Sequence, residues 1–240
     1  MEPEGTGAPL VPAFTPLRWG IGDAIIAWFV GLVVSLVAVL PAVDPNAKRQ
    51  SSTVVLLALA GQTIGVVGYL YQAAKSKGRG SLNLDFGFEV HWRDARWLLG
   101  GGLVLLASLA LVAPITALAH LHGTTQDVVR AFEHAHVFVK YALYPIGVVV
   151  VAPLAEELLF RGVLLRSLMR RLDSGAAIGI SAVAFALIHV LGDTGTGYYV
   201  PAFLLLGLVS GWRAAATGNL SQSILLHAGF NLLATLFILL

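Results

Sequence analysis

The sequence of 240 residues contains no cysteine. Disulfide bonds, thiolate nucleophiles and cysteine-ligated metals are therefore excluded. Charged side chains are also scarce: they make up 12% of the chain, whereas a soluble globular domain carries about 25%. Hydrophobic residues make up 57%. So little charge on so apolar a chain indicates that lipid, rather than water, surrounds most of it.

The few charges do not suggest a surface for nucleic acid, and no nucleic-acid partner is expected. The net charge is only +2, and the basic residues concentrate in loops between apolar runs, as membrane topology requires. Residues 1–20 are acidic at their start and rich in Pro and Gly. They lack the basic region of a cleaved signal peptide and are expected to form a disordered tail.

Seven apolar runs are each long enough to cross a bilayer, which takes about 20 helical residues. They cover residues 24–43, 53–74, 97–119, a fourth run that starts at residue 141 and ends near residue 170, and then 174–191, 199–216 and 220–240. An amphipathic segment, 120–140, can supply a re-entrant or interfacial helix. The predicted fold is all-α, a polytopic transmembrane helical bundle of about seven to eight helices in one membrane domain.

The positions of Lys and Arg predict how the bundle is oriented. The loop 75–96 and the turn 166–171 are both basic, so both are expected on the cytoplasmic side. Two runs lie between them, which is compatible with a common side. The N-terminus is then cytoplasmic and the C-terminus external. In the second run, Gly61 and Gly65 have the small-xxx-small spacing that lets two helices pack closely.

Four of the seven histidines lie in the amphipathic segment: His120, His122, His134 and His136. Two interpretations are open for them, a metal site and ordinary interfacial residues, and the second is favoured. No helix carries the His-Glu-x-x-His motif of zinc peptidases.

The fourth run contains charged residues inside its apolar sequence, because LAEELLFRGVLLR carries Glu156, Glu157 and Arg161. An ionised side chain at the bilayer centre costs ~2.5–3.5 kcal/mol, so three unpaired ones would cost roughly 8–10 kcal/mol on the same scale. Glu157 and Arg161 are four residues apart on one helix face and are expected to pair. Glu156 lies about 100° further around the helix, so it needs a different partner.

Partners for Glu156 are available on two later runs. Two pairs of residues spaced four apart share helix faces there: Phe185 with His189, and His227 with Asn231. Glu156 and His189 lie about equally far from the turn near residue 172, which gives them the same depth in an antiparallel pair. His227 lies closer to its own turn. It reaches that depth if the basic ends of the fourth and fifth runs project further by ~10 Å, about seven helical residues.

Such a cluster is suited to hydrolysis. A carboxylate beside an imidazole can hold and deprotonate a water molecule, and a second imidazole with an amide can stabilise a developing oxyanion. Two His with one or two Glu can also hold zinc with an open coordination position, and spacing does not choose between these chemistries. A set of purely structural interhelical hydrogen bonds is the third interpretation. No serine lies in a defensible Ser–His–Asp arrangement.

Three motifs resemble those of one known family. EELLFR, FALIH and HAGFN occur in this order, and they resemble the motifs of the CPBP family of CAAX prenyl endopeptidases and bacteriocin-processing, Abi-type membrane proteases. The resemblance covers about residues 148–233. It implies an intramembrane endopeptidase of about eight helices, with the protease core in 141–240 and further membrane helices and loops in 21–140.

The resemblance also implies a role for each site residue. Glu156 would activate water with the help of His189, and His227 with Asn231 would stabilise the oxyanion. The supporting residues would be Glu157, Arg161 and Phe185. Family members have been described both as metalloproteases and as glutamate-dependent peptidases. A divalent metal such as zinc on Glu156, His189 and His227 therefore stays open, as does a site without any cofactor.

The implied reaction is hydrolysis of a peptide bond in a membrane-associated or lipid-modified peptide. The expected partners are that peptide or protein substrate and membrane lipid. Heavy use of Ala, Gly, Val and Leu favours a bacterial cytoplasmic membrane. Two other functions are compatible with the same residues: a non-catalytic membrane partner, such as an immunity or scaffold protein, and a proton- or ion-coupled transporter. The sequence shows no internal symmetry of transporter halves.

Overall fold

A computed structural model of the protein describes residues 17–44, 46–47, 51–118, 131–132, 135–191 and 199–240. Within these ranges the chain is helical and has no β-strand, as predicted. The eight helices are α1 (Ile21–Val39), α2 (Ser52–Lys77), α3 (Leu82–Phe86), α4 (Arg96–Leu118), α5 (137–169), α6 (Ser174–Leu191), α7 (Val200–Thr217) and α8 (Ser221–Leu239). A 3₁₀ turn, Trp92–Asp94, precedes α4.

Six of these helices are long and apolar enough to cross a membrane: α1, α2, α4, α6, α7 and α8. The fourth predicted run corresponds to α5, which brings the long helices of the described residues to seven. α5 differs from the others because π-helical stretches, Ile146–Val151 and Leu158–Leu165, flank its α-helical segment Ala152–Glu157. π-Helical turns occur frequently at functional sites.

Part of the amphipathic segment lies outside the described residues. His120, His122 and His134 belong to that part, so the additional interfacial helix and the histidine cluster stay predictions. His136 lies within the described residues and accepts a hydrogen bond from the backbone N–H of Phe138 at 3.3 Å.

Glycine allows α2 to pack closely on α1. A Cβ atom on Gly61 would lie 2.8 Å from the Cα of Ser35, and one on Gly65 would lie 2.7 Å from the Cα of Gly31. Backbone occupies the space that any side chain would need. The small-xxx-small prediction is confirmed, and the contact fixes which face of α2 turns away from α1.

Two basic segments meet at one end of the bundle. The N–H of Leu220, between α7 and α8, donates to the carbonyl of Gly87 in the loop before α4 at 2.9 Å. The guanidinium of Arg166, near the end of α5, donates to the carbonyl of Gly218. The expectation that the loop 75–96 and the turn 166–171 share a side is confirmed. The assignment of that side to the cytoplasm stays a prediction.

The start of α1 joins the same end. Arg170 Nη2 donates to the carbonyl of Trp19 at 2.6 Å, and the buried indole N–H of Trp19 donates to Asp85 Oδ1 at 3.0 Å. Of the predicted tail, residues 1–16 lie outside the described residues, whereas Trp19 is packed into this junction.

The contact between Arg166 and Gly218 also explains the depth of α8. It places the turn before α8 near the level of Arg166 rather than of Asp173, which lies seven residues later and directly precedes α6. Seven helical residues span ~10 Å. The offset that the sequence argument required between the two turns is therefore present, and it lets α8 bring its histidine to the level of Glu156.

Candidate functional site

Glu156 lies at the centre of a cluster formed by α5, α6 and α8. Its Oε2 atom is 3.6 Å from His189 Nε2 and 3.7 Å from His227 Nε2. The structure thus brings together the three residues for which the sequence predicted a shared depth. The side chain of Glu156 is 27% exposed and that of His189 24%, whereas His227 is 2% exposed. The cluster therefore has an open side, formed by Glu156 and His189, and a closed side, formed by His227.

A backbone carbonyl orients His189. Its Nδ1 atom lies 2.8 Å from the carbonyl oxygen of Phe185, one helical turn earlier. A carbonyl only accepts, so Nδ1 carries the hydrogen and Nε2 points toward Glu156. The ring of Phe203 from α7 stacks on the imidazole at 4.5 Å between centroids. These two contacts hold Nε2 of the ring toward the carboxylate of Glu156.

A carboxylate orients His227 in the same way. Its Nδ1 atom lies 2.9 Å from Glu157 Oε1, and the same oxygen accepts from Arg161 Nη1 at 2.9 Å. Glu157 and Arg161 are both 0% exposed. Arg161 Nη2 also donates to the carbonyl of Gly207 on α7 at 3.2 Å. The predicted pair of Glu157 and Arg161 is confirmed, and Glu157 has a second role, which is to hold His227.

Phe185 contacts three residues of the cluster. It is fully buried, and the guanidinium carbon of Arg161 lies 4.5 Å from its ring centroid, within the range of a cation–π contact. The imidazole of His227 meets the same ring edge-on at 5.5 Å. Phe185 therefore supports Arg161 and His227 by its ring and His189 by its carbonyl.

Asn231 forms a hydrogen bond to the backbone of α5. Its Nδ2 atom donates to the carbonyl of Val148, in a π-helical stretch of α5, at 2.9 Å. Among the described residues no hydrogen bond joins Asn231 to Glu156, His189 or His227. Asn231 lies one turn after His227 on α8. Its hydrogen bond to Val148 therefore links α8 to α5 beside the cluster.

The cluster does not form a metal-ligand set. In the part of the chain that the structure describes, no group of three His, Cys, Asp or Glu side chains is arranged to hold a metal ion. The zinc interpretation that the sequence left open for Glu156, His189 and His227 is therefore not supported by the geometry of the described residues.

A cavity of about 230 Å³ opens beside Glu156 and His189. It lies between α2, α5 and α6, and Trp28 of α1 closes one side. Most of its wall is apolar. Its lining residues are Trp28, Leu59, Gln62, Thr63, Val66, Ala152, Ala155, Glu156, Leu159, Phe160, Ile188 and His189.

Sequence reasoning missed two polar residues of this wall, Gln62 and Thr63. They lie in the segment GQTIG, whose glycines drew attention to helix packing. A signal was present, because a glutamine and a threonine interrupt an otherwise apolar membrane run, and intramembrane polar residues commonly face a cavity or another helix.

The bundle and its Glu–His cluster define a multi-pass helical membrane protein with a carboxylate–imidazole site. Residues 137–233 match the family described as "Type II CAAX prenyl endopeptidase Rce1-like", and this range contains every predicted site residue. UPF0177 protein YxdF of Lactococcus lactis subsp. lactis (strain IL1403) is 29% identical over 137 residues, which cover 57% of this chain and 72% of the relative. No solved structure matches the chain.

The C-terminal part of the chain, residues 137–233, is similar to this family, and the two matches support a CPBP family protein. The same match, together with six helices of membrane-spanning length and composition, makes it an integral multi-pass membrane protein.

Proposed function

We propose that this protein is an intramembrane endopeptidase that hydrolyses a peptide bond of a membrane-associated or lipid-modified peptide. One observation carries the proposal: the carboxylate of Glu156 faces the Nε2 atoms of two oriented imidazoles at 3.6 and 3.7 Å. The family description, a prenyl endopeptidase, supports the same reaction class and favours lipid-modified peptides as substrates.

The spacing of the cluster suits a water molecule. Both Oε2–Nε2 distances are longer than a direct hydrogen bond, and a polar contact of this length is typical of groups that a water bridges. A water oxygen at ~2.8 Å from Glu156 Oε2 and from His189 Nε2 satisfies both groups. Oε2 itself is buried and has no hydrogen-bond partner among the described residues. The partly exposed parts of Glu156 and His189 line the cavity, through which water and substrate would reach this position.

In the proposed reaction Glu156 acts as the general base. The carboxylate takes a proton from water, and His189 Nε2 accepts the hydrogen bond from the second hydrogen, which aligns the oxygen for attack. The new C–O bond forms at the substrate carbonyl carbon as the C=O electron pair moves to the carbonyl oxygen. Glu156 then passes its proton to the amide nitrogen. The C–N bond breaks, and a free amine and a carboxylic acid leave.

His227 stabilises the oxyanion formed in that step. Because its Nδ1–H is taken by Glu157, it can donate from Nε2 only as an imidazolium. In this form the charges of the site are balanced, because the positive charges of His227 and Arg161 would face the negative charges of Glu156 and Glu157. A preoriented charged donor in a water-poor site is worth far more than the same donor in water.

Asn231 is proposed as a second oxyanion donor. Its amide nitrogen carries two hydrogens, and the bond to Val148 uses one of them. That bond would position the second hydrogen, so Asn231 would act with His227 from the same face of α8.

The proposal is tested by comparing membranes from cells that carry the wild-type protein, Glu156→Gln or Glu89→Gln. Glu89 lies in the loop before α4, outside the cluster, and serves as a matched control. Quantitative proteomics should show full-length substrate accumulating only with Glu156→Gln, while all three proteins reach the membrane in equal amounts. Identical peptide patterns for Glu156→Gln and wild type would overturn the proposal.

A further inference from the structure

The cavity beside Glu156 has two facing walls with the same helical spacing. On α2 the wall consists of Leu59, Gln62, Thr63 and Val66, and on α5 of Ala152, Ala155, Glu156 and Leu159. Each set follows the i, i+3, i+4, i+7 pattern of a single helix face. Two of the four residues on the α5 wall are alanines, which keeps the space between the walls open.

Gln62 and Thr63 are the polar part of the α2 wall, and their orientation is fixed. Gly61 and Gly65 allow α2 to lie directly on the backbone of α1. Rotation of α2 would bring other side chains into collision with that backbone. Among the described residues neither the carboxamide of Gln62 nor the hydroxyl of Thr63 makes a hydrogen bond. Gln62 is exposed and Thr63 is partly exposed, so both can reach a ligand in the cavity. Polar groups inside a membrane are stabilised when such a ligand supplies their partners.

We propose that Gln62, assisted by Thr63, binds the main chain of the substrate peptide across the cavity from Glu156. This inference rests on the proposed peptidase function and names a positioning residue for it. The carboxamide of Gln62 has an oxygen that accepts and an NH₂ group that donates. These groups complement the N–H and C=O of a peptide unit. Because every peptide has these groups, Gln62 could bind substrates of different sequence. The apolar remainder of the wall, including Trp28 and Ile188, would accept an apolar side chain next to the scissile bond.

An extended conformation of the peptide suits this role. An extended chain leaves its N–H and C=O groups free to pair with Gln62, whereas those of an α-helix bond to one another. The cavity beside Glu156 measures about 230 Å³.

The test uses Gln62→Leu, which leaves an apolar side chain of comparable size and removes the hydrogen bonds of the carboxamide. Gln72→Leu is the matched control, because Gln72 is an exposed glutamine on the same helix that does not line the cavity. The probe is the membrane peptide that accumulates with Glu156→Gln, assayed with purified protein in lipid nanodiscs. Gln62→Leu should raise KM about threefold to tenfold, the effect of one lost hydrogen bond, with kcat changed less than twofold.

The outcomes separate this inference from the function on which it rests. If Glu156→Gln blocks cleavage and Gln62→Leu matches Gln72→Leu in KM, the role of Gln62 is wrong and the peptidase function stands. If no peptide accumulates with Glu156→Gln, the peptidase function fails and the inference fails with it. A fall in kcat and in thermal stability without a change in KM would assign Gln62 a structural role and also overturn the inference.

Discussion

At the scale of single residues, the two adjacent glutamates have different roles in the site. Glu156 is partly exposed and faces the two Nε2 atoms, whereas Glu157 is fully buried between Arg161 and His227. The 100° step between neighbouring residues on a helix explains the division, because it turns one carboxylate to the cavity and the other into the bundle. Glu157 is therefore a positioning residue for His227.

Replacing Glu157 alone should destabilise the protein. Glu157→Ala leaves Arg161 buried without its anion, and breaking a buried ion pair costs about 3–5 kcal/mol. Thermal unfolding in detergent should show the loss, with Glu89→Ala, which removes a partly exposed carboxylate outside the cluster, as the control. The double variant Glu157→Met with Arg161→Leu should recover most of the stability, because no buried charge is left alone. It should stay inactive, because His227 has lost its acceptor. A stable, fully active Glu157→Ala would contradict this account.

Sequence spacing predicted which residues meet but not how each is oriented. Pairing of Glu157 with Arg161 follows from one helix alone, and the approach of Glu156 to His189 follows from depth in an antiparallel pair. The bonds from His227 to Glu157 and from Asn231 to Val148 depend on how far α8 is rotated against α5. That rotation is set by packing between helices, for which one sequence contains no direct signal.

At the scale of helices, α8 carries His227 and is placed by α4. A Cβ atom on Gly101 would collide with the carbonyl of Leu226 and the N–H of Phe230, and one on Gly229 would collide with Leu98. These two glycines allow the backbones of α4 and α8 to touch beside the site. The neighbouring Gly102 has ordinary room, since its nearest contact would be a Leu233 methyl at 3.5 Å.

A methyl group on Gly101 should therefore disturb the site from a distance. Gly101→Ala must push α8 away from α4, and overpacking of this kind typically costs about 1–3 kcal/mol. We expect lower thermal stability and a lower kcat than for the wild type. Gly102→Ala, one residue further on, should leave both within error of wild type. Equal behaviour of the two alanine variants would show that the contact between α4 and α8 does not place His227.

The π-helical stretches of α5 could not be predicted from the sequence. The sequence of α5 around Glu156 reads as a continuous helix, and Pro145 and Pro153 gave the one local hint of irregularity. π-Helical turns are rare within α-helices and occur frequently at functional sites. In α5 these stretches lie on both sides of Glu156, where α2, α6 and α8 surround the helix.

At the scale of the whole molecule, the helices alternate in direction between two ends. The basic residues of the loop before α4 and of the turn after α5 lie at the same end, and the segment between α1 and α2 lies at the other. This alternation was predictable because it needs only the lengths of apolar runs and the positions of Lys and Arg. The same positions of Lys and Arg predict that the basic end faces the cytoplasm.

The absence of cysteine makes that question easy to test. Single substitutions Asn46→Cys and Arg171→Cys place one thiol at each end, both at exposed positions. With a membrane-impermeant maleimide on intact cells, Asn46→Cys should be labelled and Arg171→Cys should not. Permeabilised cells should show labelling of both. The reverse pattern on intact cells would place the basic end outside and contradict the positive-inside assignment.

The central claim, that Glu156 activates a water molecule for peptide hydrolysis, is tested most directly by a single-turnover reaction in ¹⁸O-labelled water. The substrate is the peptide that accumulates with Glu156→Gln, and the protein is reconstituted in nanodiscs. We predict that the wild-type protein places one ¹⁸O atom in the new carboxyl group during the first turnover, and that Glu156→Gln releases no product. Product formation by Glu156→Gln at the wild-type rate would contradict the claim.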